Sequence, residues 1–338
     1  MNVLLTSVGR RNYLIDYFKE AVHPYGGKVF AINSHNNAPA LYVADGYEIA
    51  PAIYSEGYVD FLIDFCERNE IRAIIPLLDN DLPVLAKSKS HFKSKGIYVL
   101  AAELWVTKMA NDKLETFEFL KKKGFQTVPT FCDLAEFFEA KSLGKIDFPV
   151  IIKPRWGMAS LSVYQAENEE DLHFYYKKAK KEVANSFLKY ESGQDPEHAI
   201  LIMEKITGEE FMLDIINDLG GEYQLTVVNK KLLRKGGETE AVETVHHPEL
   251  EALGKELSGL TRHPLVMDSD VFWRDGKAFI LEFNPRFSGG YPFTHFSGVN
   301  LPKALLKWLH GEVVDKSDYL TPRFGSKCLK GITIIGAA

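Results

Sequence analysis

Through the first hundred residues, apolar positions fall into short unbroken runs separated by stretches of helical period. Asn2–Val8 (NVLLTSV) has no polar alternation, the pattern of a strand buried on both faces. After Gly9-Arg10-Arg11 comes a helical pattern with Leu14, Ile15, Tyr17 and Phe18. Lys28–Ile32 predicts a second strand, Tyr47–Ile49 a third, Ala73–Ile75 another, and Ile97–Leu100 closes the series. Tyr58–Glu67 and Leu82–Lys93 predict helices between them. Strands alternating with helices make an open parallel sheet, in which ligands collect beyond the carboxyl ends of the strands. Ser7-Val8-Gly9-Arg10, Asn33 and Asp79-Asn80-Asp81 fall at those ends. The G-x-G-x-x-G turn of a dinucleotide site is missing, because Gly9 stands alone with arginines behind it. Arg10 and Arg11 read equally as anion ligands or as solvated charges. Asp79 and Asp81 read best as caps of the following helix.

From Thr107 the pattern changes. Asn111-Asp112-Lys113 starts a helix over Leu114–Lys123, with Gly124 as its C-cap. Phe148–Ile152 predicts a strand leading into Lys153-Pro154-Arg155-Trp156-Gly157-Met158-Ala159-Ser160. Glu167–Lys181 is a helix running from acidic to basic, as the macrodipole favours. Glu191–His198 reads as a loop and Ala199–Glu204 as an apolar strand. Phe211–Asn217 and Tyr223–Asn229 read as antiparallel neighbours around Gly220-Gly221. Arg234–Thr239 is expected in a loop. His246 and His247, being adjacent, point apart and do not share a metal. Leu301–Leu309 is a short amphipathic helix, and Ile332–Ile335 a short strand.

The stretch with the most chemistry is Val266–Gly290 (VMDSDVFWRDGKAFILEFNPRFSGG). Two apolar runs flank Arg274-Asp275-Gly276-Lys277, a hairpin signal. Strand alternation puts Glu282 and Asn284 on one face, and a turn at Asp275-Gly276 sets Asp270 or Asp268 across from them. Hard oxygen ligands at this spacing suit Mg²⁺, which takes a few protein oxygens and completes its shell with water and phosphate. Arg286 stands where it can hold an anion beside such an ion.

Composition narrows the class. A chain of 338 residues with 46% hydrophobic and 25% charged positions has the make-up of a soluble globular protein of two or three domains. A formal net charge of −6 disfavours a nucleic-acid partner that needs a basic surface. Cys66, Cys132 and Cys328 are far apart and offer neither a zinc site nor a disulfide framework. No signal peptide or membrane-length apolar run is visible, so a cytoplasmic location and no membrane partner are expected.

The run E-x-N-P-R-x-S-G-G behind a D-V-F…D-G-K hairpin resembles the metal-binding end of the ATP-grasp superfamily, nearest its carbamoyl-phosphate-synthase-like and carboxylate–amine ligase branches. The resemblance extends from the first strand to the Leu301 helix. It implies a Rossmann-like pre-ATP-grasp domain over residues 1–107 and a two-lobed ATP-grasp fold. The small lobe and linking helix would occupy 108–190, the large lobe with the metal site 191–312, and a tail 313–338. Lys113 is similar to the first phosphate-binding lysine, and Lys153 to the second, which touches phosphate and the adenine edge. Glu204-Lys205-Ile206 resembles the hinge whose main chain reads adenine, and Glu210 the acid that holds the ribose hydroxyls. Asp270, Glu282 and Asn284 would hold Mg²⁺ (or Mn²⁺). Arg234 lies where relatives bring a cation to the transferred phosphate, and Arg286 would stabilise a carboxylate or the phosphoryl group.

Each role also makes chemical sense on its own. A triphosphate needs lysine charge from more than one direction. An adenine slot needs an apolar wall with free main-chain groups. Neighbouring acids can accept from both ribose hydroxyls. One departure stands out: Arg155–Ser162 has a single glycine where many relatives have a glycine-rich loop. The implied activity is ATP-dependent phosphorylation of a small-molecule carboxylate and its coupling to an amine or ammonia. Bicarbonate as the acceptor, a nucleotide-binding regulatory module without turnover, and an NAD or nucleotide-sugar enzyme are the alternatives. A homodimer is left open.

Overall fold

In a computed structural model, residues 1–158 and 160–337 are described. The apolar runs near the amino terminus become β1 (Asn2–Thr6), β2 (Val29–Asn33), β3 (Gly46–Ile49), β4 (Ile71–Pro76) and β5 (Tyr98–Val99). They form one parallel sheet in the order β3-β2-β1-β4-β5. Alternation along β1 explains why it is apolar on both faces. Val3 and Leu5 join a core with Leu14 and Phe18 of the helix Asn12–Val22. Leu4 turns to a second core with Leu62 and Phe65 of the helix Tyr58–Arg68.

Four short strands follow: β6 (Thr130–Phe131), β7 (Val150–Pro154), β8 (Tyr164–Ala166) and β9 (Ile200–Glu204). They make an antiparallel sheet in the order β6-β9-β7-β8, backed by the helix Glu169–Ala184. Strand β9 lies inside this sheet, although it comes after residue 190 in the chain. The larger antiparallel sheet contains β10 (Glu209–Asn217), β11 (Tyr223–Lys235), β12 (Glu238–Val245), β13 (Val266–Arg274), β14 (Lys277–Asn284) and β15 (Lys327–Leu329). Its order is β14-β13-β10-β11-β12-β15. The fold class therefore agrees with the sequence reading: a parallel α/β sheet followed by two antiparallel lobes.

Several local expectations need correction. Leu82–Lys93 is not one helix. It breaks at Ser88, a residue of modest helix preference, into Asp81–Lys87 and Lys89–Ser94. A helix over Leu104–Asn111 was not read from the sequence, and the expected boundary at residue 107 cuts through it. Asp112 ends that helix and caps the next, Lys113–Lys122, accepting from the N–H groups of Leu114 and Glu115. The start of the expected Glu191–His198 loop is a helical turn, Lys189–Ser192, because Glu191 is drawn inward to Tyr54 and Asn80. Arg234–Thr239 is a hairpin tip instead of an open loop: β11 reaches Lys235, and Gly236 and Gly237 make the turn with positive φ. The last strand forms at Lys327–Leu329, where β12 offers a free edge, and not at Ile332–Ile335, whose Ile332 and Ile334 stay exposed.

The first core cluster does not stop at the parallel sheet. It also takes in Ile216, Val266, Phe287 and Tyr291 from around the larger sheet, and Leu301 and Leu305 from the carboxyl-terminal helix Leu301–Leu309. The carboxyl ends of β1 and β4 are thereby held close to the residues that follow β14. Among the described residues no helix is long and apolar enough to cross a membrane.

Candidate active site

The hairpin β13–β14 is set by its turn. Asp275 and Gly276 have φ of 52° and 73°, the left-handed pair that matches strand twist. The resulting register places Asp270 opposite Glu282 and Asp268 opposite Asn284. Both aspartates weighed from the sequence thus lie across from the second strand. Asp270 accepts from Lys231 Nζ at 2.6 Å, and Glu282 lies 3.2 Å from Lys113 Nζ. Asn284 Nδ2 donates to Asp268 Oδ2 at 3.2 Å, while Asp268 Oδ1 is buried without a partner. Burial alone would raise the Glu282 carboxyl, but the charges of Lys113 and Lys153 outweigh it and hold it below the usual range.

A cleft of about 360 Å³ opens between the two antiparallel sheets. Lys113, Lys153, Glu204, Lys205, Ile206, Glu210, Arg234, Asp270 and Glu282 all line it. These residues are far apart in sequence and meet on one wall-to-wall surface. Ile151, Met203, Phe272 and Leu281 supply its apolar part. Lys153 is buried, and its pKa is pushed down to about 8 by burial and then by the charge of Lys113. Asn284 and Arg286 are not part of this lining. Arg286 points instead to the parallel sheet, where Nη2 donates to Asp79 at 2.9 Å and both side chains are largely buried. Its Nε is buried and unpartnered.

Two families of sequence match parts of the chain. Residues 3–100 match the family model of the PylC-like N-terminal domain, and residues 196–329 match that of ATP-grasp in the biosynthetic pathway with Ter operon. The stretch 196–329 is thus ATP-grasp in sequence. Solved structures agree in fold. The biotin carboxylase domain of the 2-oxoglutarate carboxylase from Hydrogenobacter thermophilus aligns with a TM-score of 0.73 and 19% identity, over 96% of this chain and 73% of that one. An L-amino acid ligase from Bacillus licheniformis gives 0.71 and 16%, over 96% and 78%. N5-carboxyaminoimidazole synthetase from Staphylococcus aureus gives 0.66 and 14%, over 93% and 78%.

Within this ATP-grasp fold, the donor set can be tested against a divalent ion. Among the described residues no three His, Cys, Asp or Glu side chains form a ready metal group. Asp270 and Glu282 give two facing carboxylates, Asn284 an amide oxygen nearby, and Asp268 Oδ1 an unsatisfied acceptor behind them. Two carboxylates with room for phosphate and water fit Mg²⁺ better than they fit a metal that needs a full protein cage. The lysines on Asp270 and Glu282 balance the same charge that an ion would.

Other sequence expectations fare differently. Arg234 Nη1 donates to Glu210 at 3.0 Å, so the residue expected at the phosphate sits on the acid expected at the ribose. Asp79 and Asp81 do not cap the following helix, which has no side-chain cap. Asp81 is fully buried and accepts from Thr6, Ser7 and Tyr58, and Asp79 holds Arg286. Arg10 is exposed and pairs with Glu238. His247 caps the helix Pro248–Thr261. Lys231 and Asp214 escaped the sequence reading. Asp214 is a charge within the apolar run Phe211–Ile216, and a charge amid buried positions needs a partner; Lys231, beside Lys230 in a basic stretch of β11, gave no such signal. Lys231 finds Asp270, and Asp214 faces Asp268 across β10–β13 while accepting from Thr294.

Proposed function

We propose that the protein is an ATP-dependent ligase that phosphorylates a carboxylate and passes the activated acyl group to an amine or ammonia. The observation that supports this is the convergence of two phosphate-type lysines, an apolar slot, a ribose-type acid and a carboxylate pair in one cleft. Adenine would lie against Ile151, Met203 and Leu281. The N–H groups of Glu204 and Lys205 are engaged by the carbonyls of Pro129 and Pro149, so the main-chain donor for the base is that of Ile206. Glu210 accepts from the ribose hydroxyls, and Arg234 steadies its carboxylate. Lys113 approaches the phosphates from a helix start and Lys153 from a strand end. Together they offset charge as it moves toward the leaving ADP.

Asp270, Glu282 and Asn284 would hold Mg²⁺ (or Mn²⁺), which supplies charge neutralisation at phosphate oxygens when bound. Arg286, its guanidinium fixed by Asp79, would stabilise the substrate carboxylate once that group reaches its buried, unpartnered Nε. A carboxylate oxygen attacks the γ-phosphorus, the bond to the β-phosphate oxygen breaks, and ADP leaves. The amine nitrogen then attacks the acyl carbon, phosphate departs, and the nitrogen gives up a proton.

Candidate carboxylates are to be screened with ATP, Mg²⁺ and hydroxylamine. The expected result is a hydroxamate of the substrate, made only when all are present. Phosphate release with no trappable acyl species from any acid would overturn the reading, and a phosphorylated alcohol would mark a kinase. A second reading takes bicarbonate as the acceptor, since the H. thermophilus domain was solved with MgADP and bicarbonate. Phosphate release that depends on bicarbonate alone would select it.

A further inference from the structure

We propose that Arg155 is a positioning residue for nucleotide binding, which sets the separation of Lys113 and Lys153 without reaching the nucleotide itself. The proposal rests on the reading of the cleft as an ATP site.

Arg155 follows Lys153-Pro154 at the end of β7. Its Nε donates to Asp112 Oδ1 and Oδ2 at 2.8 and 2.9 Å, and Nη2 donates to Oδ2 at 2.7 Å. Nη1 donates to Asp195 Oδ2 at 3.0 Å. Arg155 and Asp112 are both buried, at 9% and 7% exposure. The Trp156 ring covers the guanidinium with its centroid 4.4 Å from Cζ. A forked, charge-assisted pair of this kind fixes angle as well as distance.

Asp112 has a second duty. The same Oδ1 accepts from the N–H groups of Leu114 and Glu115 at 3.0 and 3.2 Å, which caps the helix whose first residue is Lys113. One carboxylate thus holds the start of the Lys113 helix and the side chain two residues past Lys153. The main chain closes the circuit, because Lys113 N–H donates to the Arg155 carbonyl at 3.2 Å. From Lys153 to Lys113 every link is covalent or hydrogen bonded.

Such a brace has a physical purpose. Two lysines aimed at one anion repel each other until the anion arrives, and a cleft that must gather them on binding loses affinity to that cost. Arg155 stands outside the cleft lining, so it contributes no direct phosphate contact. Lysine could not replace it, since an ammonium lacks the planar fork that spans Asp112 and Asp195. The glycine-poor start of this loop, a departure from many relatives, thereby acquires a reason.

The test is calorimetric binding of ATP and of adenosine to the full chain, without acceptor. Adenosine reports the hinge and ribose contacts alone. Arg155→Met and Arg155→Lys should weaken ATP by about 10-fold while leaving adenosine unchanged. Asp195→Asn, on a partly exposed side chain, should lower ATP affinity less and in the same direction. If Arg155→Met does not fold, Arg155→Lys and Asp195→Asn still decide the matter. Equal losses for ATP and adenosine would reduce Arg155 to a stabilising residue, and unchanged ATP affinity in Arg155→Lys would overturn the proposal. Lys153→Met separates the two ideas. If it weakens ATP but Arg155→Lys does not, only the positioning role falls. If it leaves ATP binding intact, the reading of the cleft falls and the positioning role falls with it.

Discussion

Lys153 is a buried cation whose own pKa has been driven down by its surroundings. Even with Glu282 and Asp270 near, burial and Lys113 make a charge in that position a net cost to the empty protein, which an arriving phosphate would offset. Replacing it with Met removes a desolvated charge and keeps the length of the side chain. Lys153→Met should therefore melt no lower than the parent while its affinity for ATP falls about 10- to 100-fold, read by calorimetry. Glu282→Gln acts on the other half of the site. It keeps shape and removes one negative charge from the carboxylate pair, so turnover should fall about 10–100-fold, by the scale for altered metal surroundings. ATP affinity, held by the lysines, should fall much less, and full activity in Glu282→Gln would contradict the assignment of the pair. Lys113, Lys153, Glu210 and Glu282 were legible because each lies in a short local signature: N-D-K-L, P-V-I-I-K-P, G-E-E-F and E-F-N-P-R. Lys231, Asp214 and Arg155 were not, since their partners Asp270, Thr294 and Asp112 come from another strand, a distant helix or a helix cap. No window of sequence contains both members of such a pair.

Strand and helix junctions carry predictions of another kind. Gly276 has φ of +73° in the β13–β14 turn, and a Cβ there would meet nothing within 4 Å. Gly276→Ala should cost about 1 kcal/mol through backbone strain alone and leave nucleotide affinity unchanged. Gly254 is the opposite case. It lies in the helix Pro248–Thr261, and a Cβ would come within 2.2 Å of Thr226 Oγ1 on β11. Gly254→Ala should cost about 2 kcal/mol or more, because the helix must lift from the sheet. Chemical denaturation distinguishes the two. His263, just beyond that helix, is fully buried, and its Nε2 lies 3.0 Å from the Ile215 carbonyl on β10. Burial lowers its pKa to about 4 from an ordinary 6.5. The unfolded chain then takes up a proton that the folded chain refuses. Its contribution is present in full above pH 6.5 and is lost as pH falls toward 4. Between pH 7 and pH 5 this amounts to about 2 kcal/mol. His263→Gln should flatten that part of the pH dependence in urea unfolding, and an unchanged slope would rule the histidine out. Helices and strands with long apolar patterns were readable from sequence. The short helix Leu104–Asn111 and the edge strand Lys327–Leu329 were not, because docking against neighbours decides them more than their own pattern does.

Three sheets cooperate in the molecule, and the division of labour follows from what each can offer. The parallel sheet brings strand ends and the half-buried Arg11, the small antiparallel sheet brings Lys153 and leads into residues 204–206, and the large one brings the carboxylate pair. The Asp79–Arg286 pair and the shared core around Phe287 and Tyr291 join the first sheet to the third. This arrangement was foreseeable in outline, since the order of motifs along the chain fixes which lobe supplies which group. The contact of Arg234 with Glu210 was not, because it depends on how far β11 runs before it turns. A structure of the full chain with Mg²⁺ and a non-hydrolysable ATP analogue would test the assignment as a whole. The base should hydrogen-bond the main chain of Glu204–Ile206, the phosphates should lie between Lys113 and Lys153, and the metal should bridge them to Asp270 and Glu282. A nucleotide bound instead at Gly9-Arg10-Arg11 beyond β1, or a base out of reach of that hinge, would contradict it.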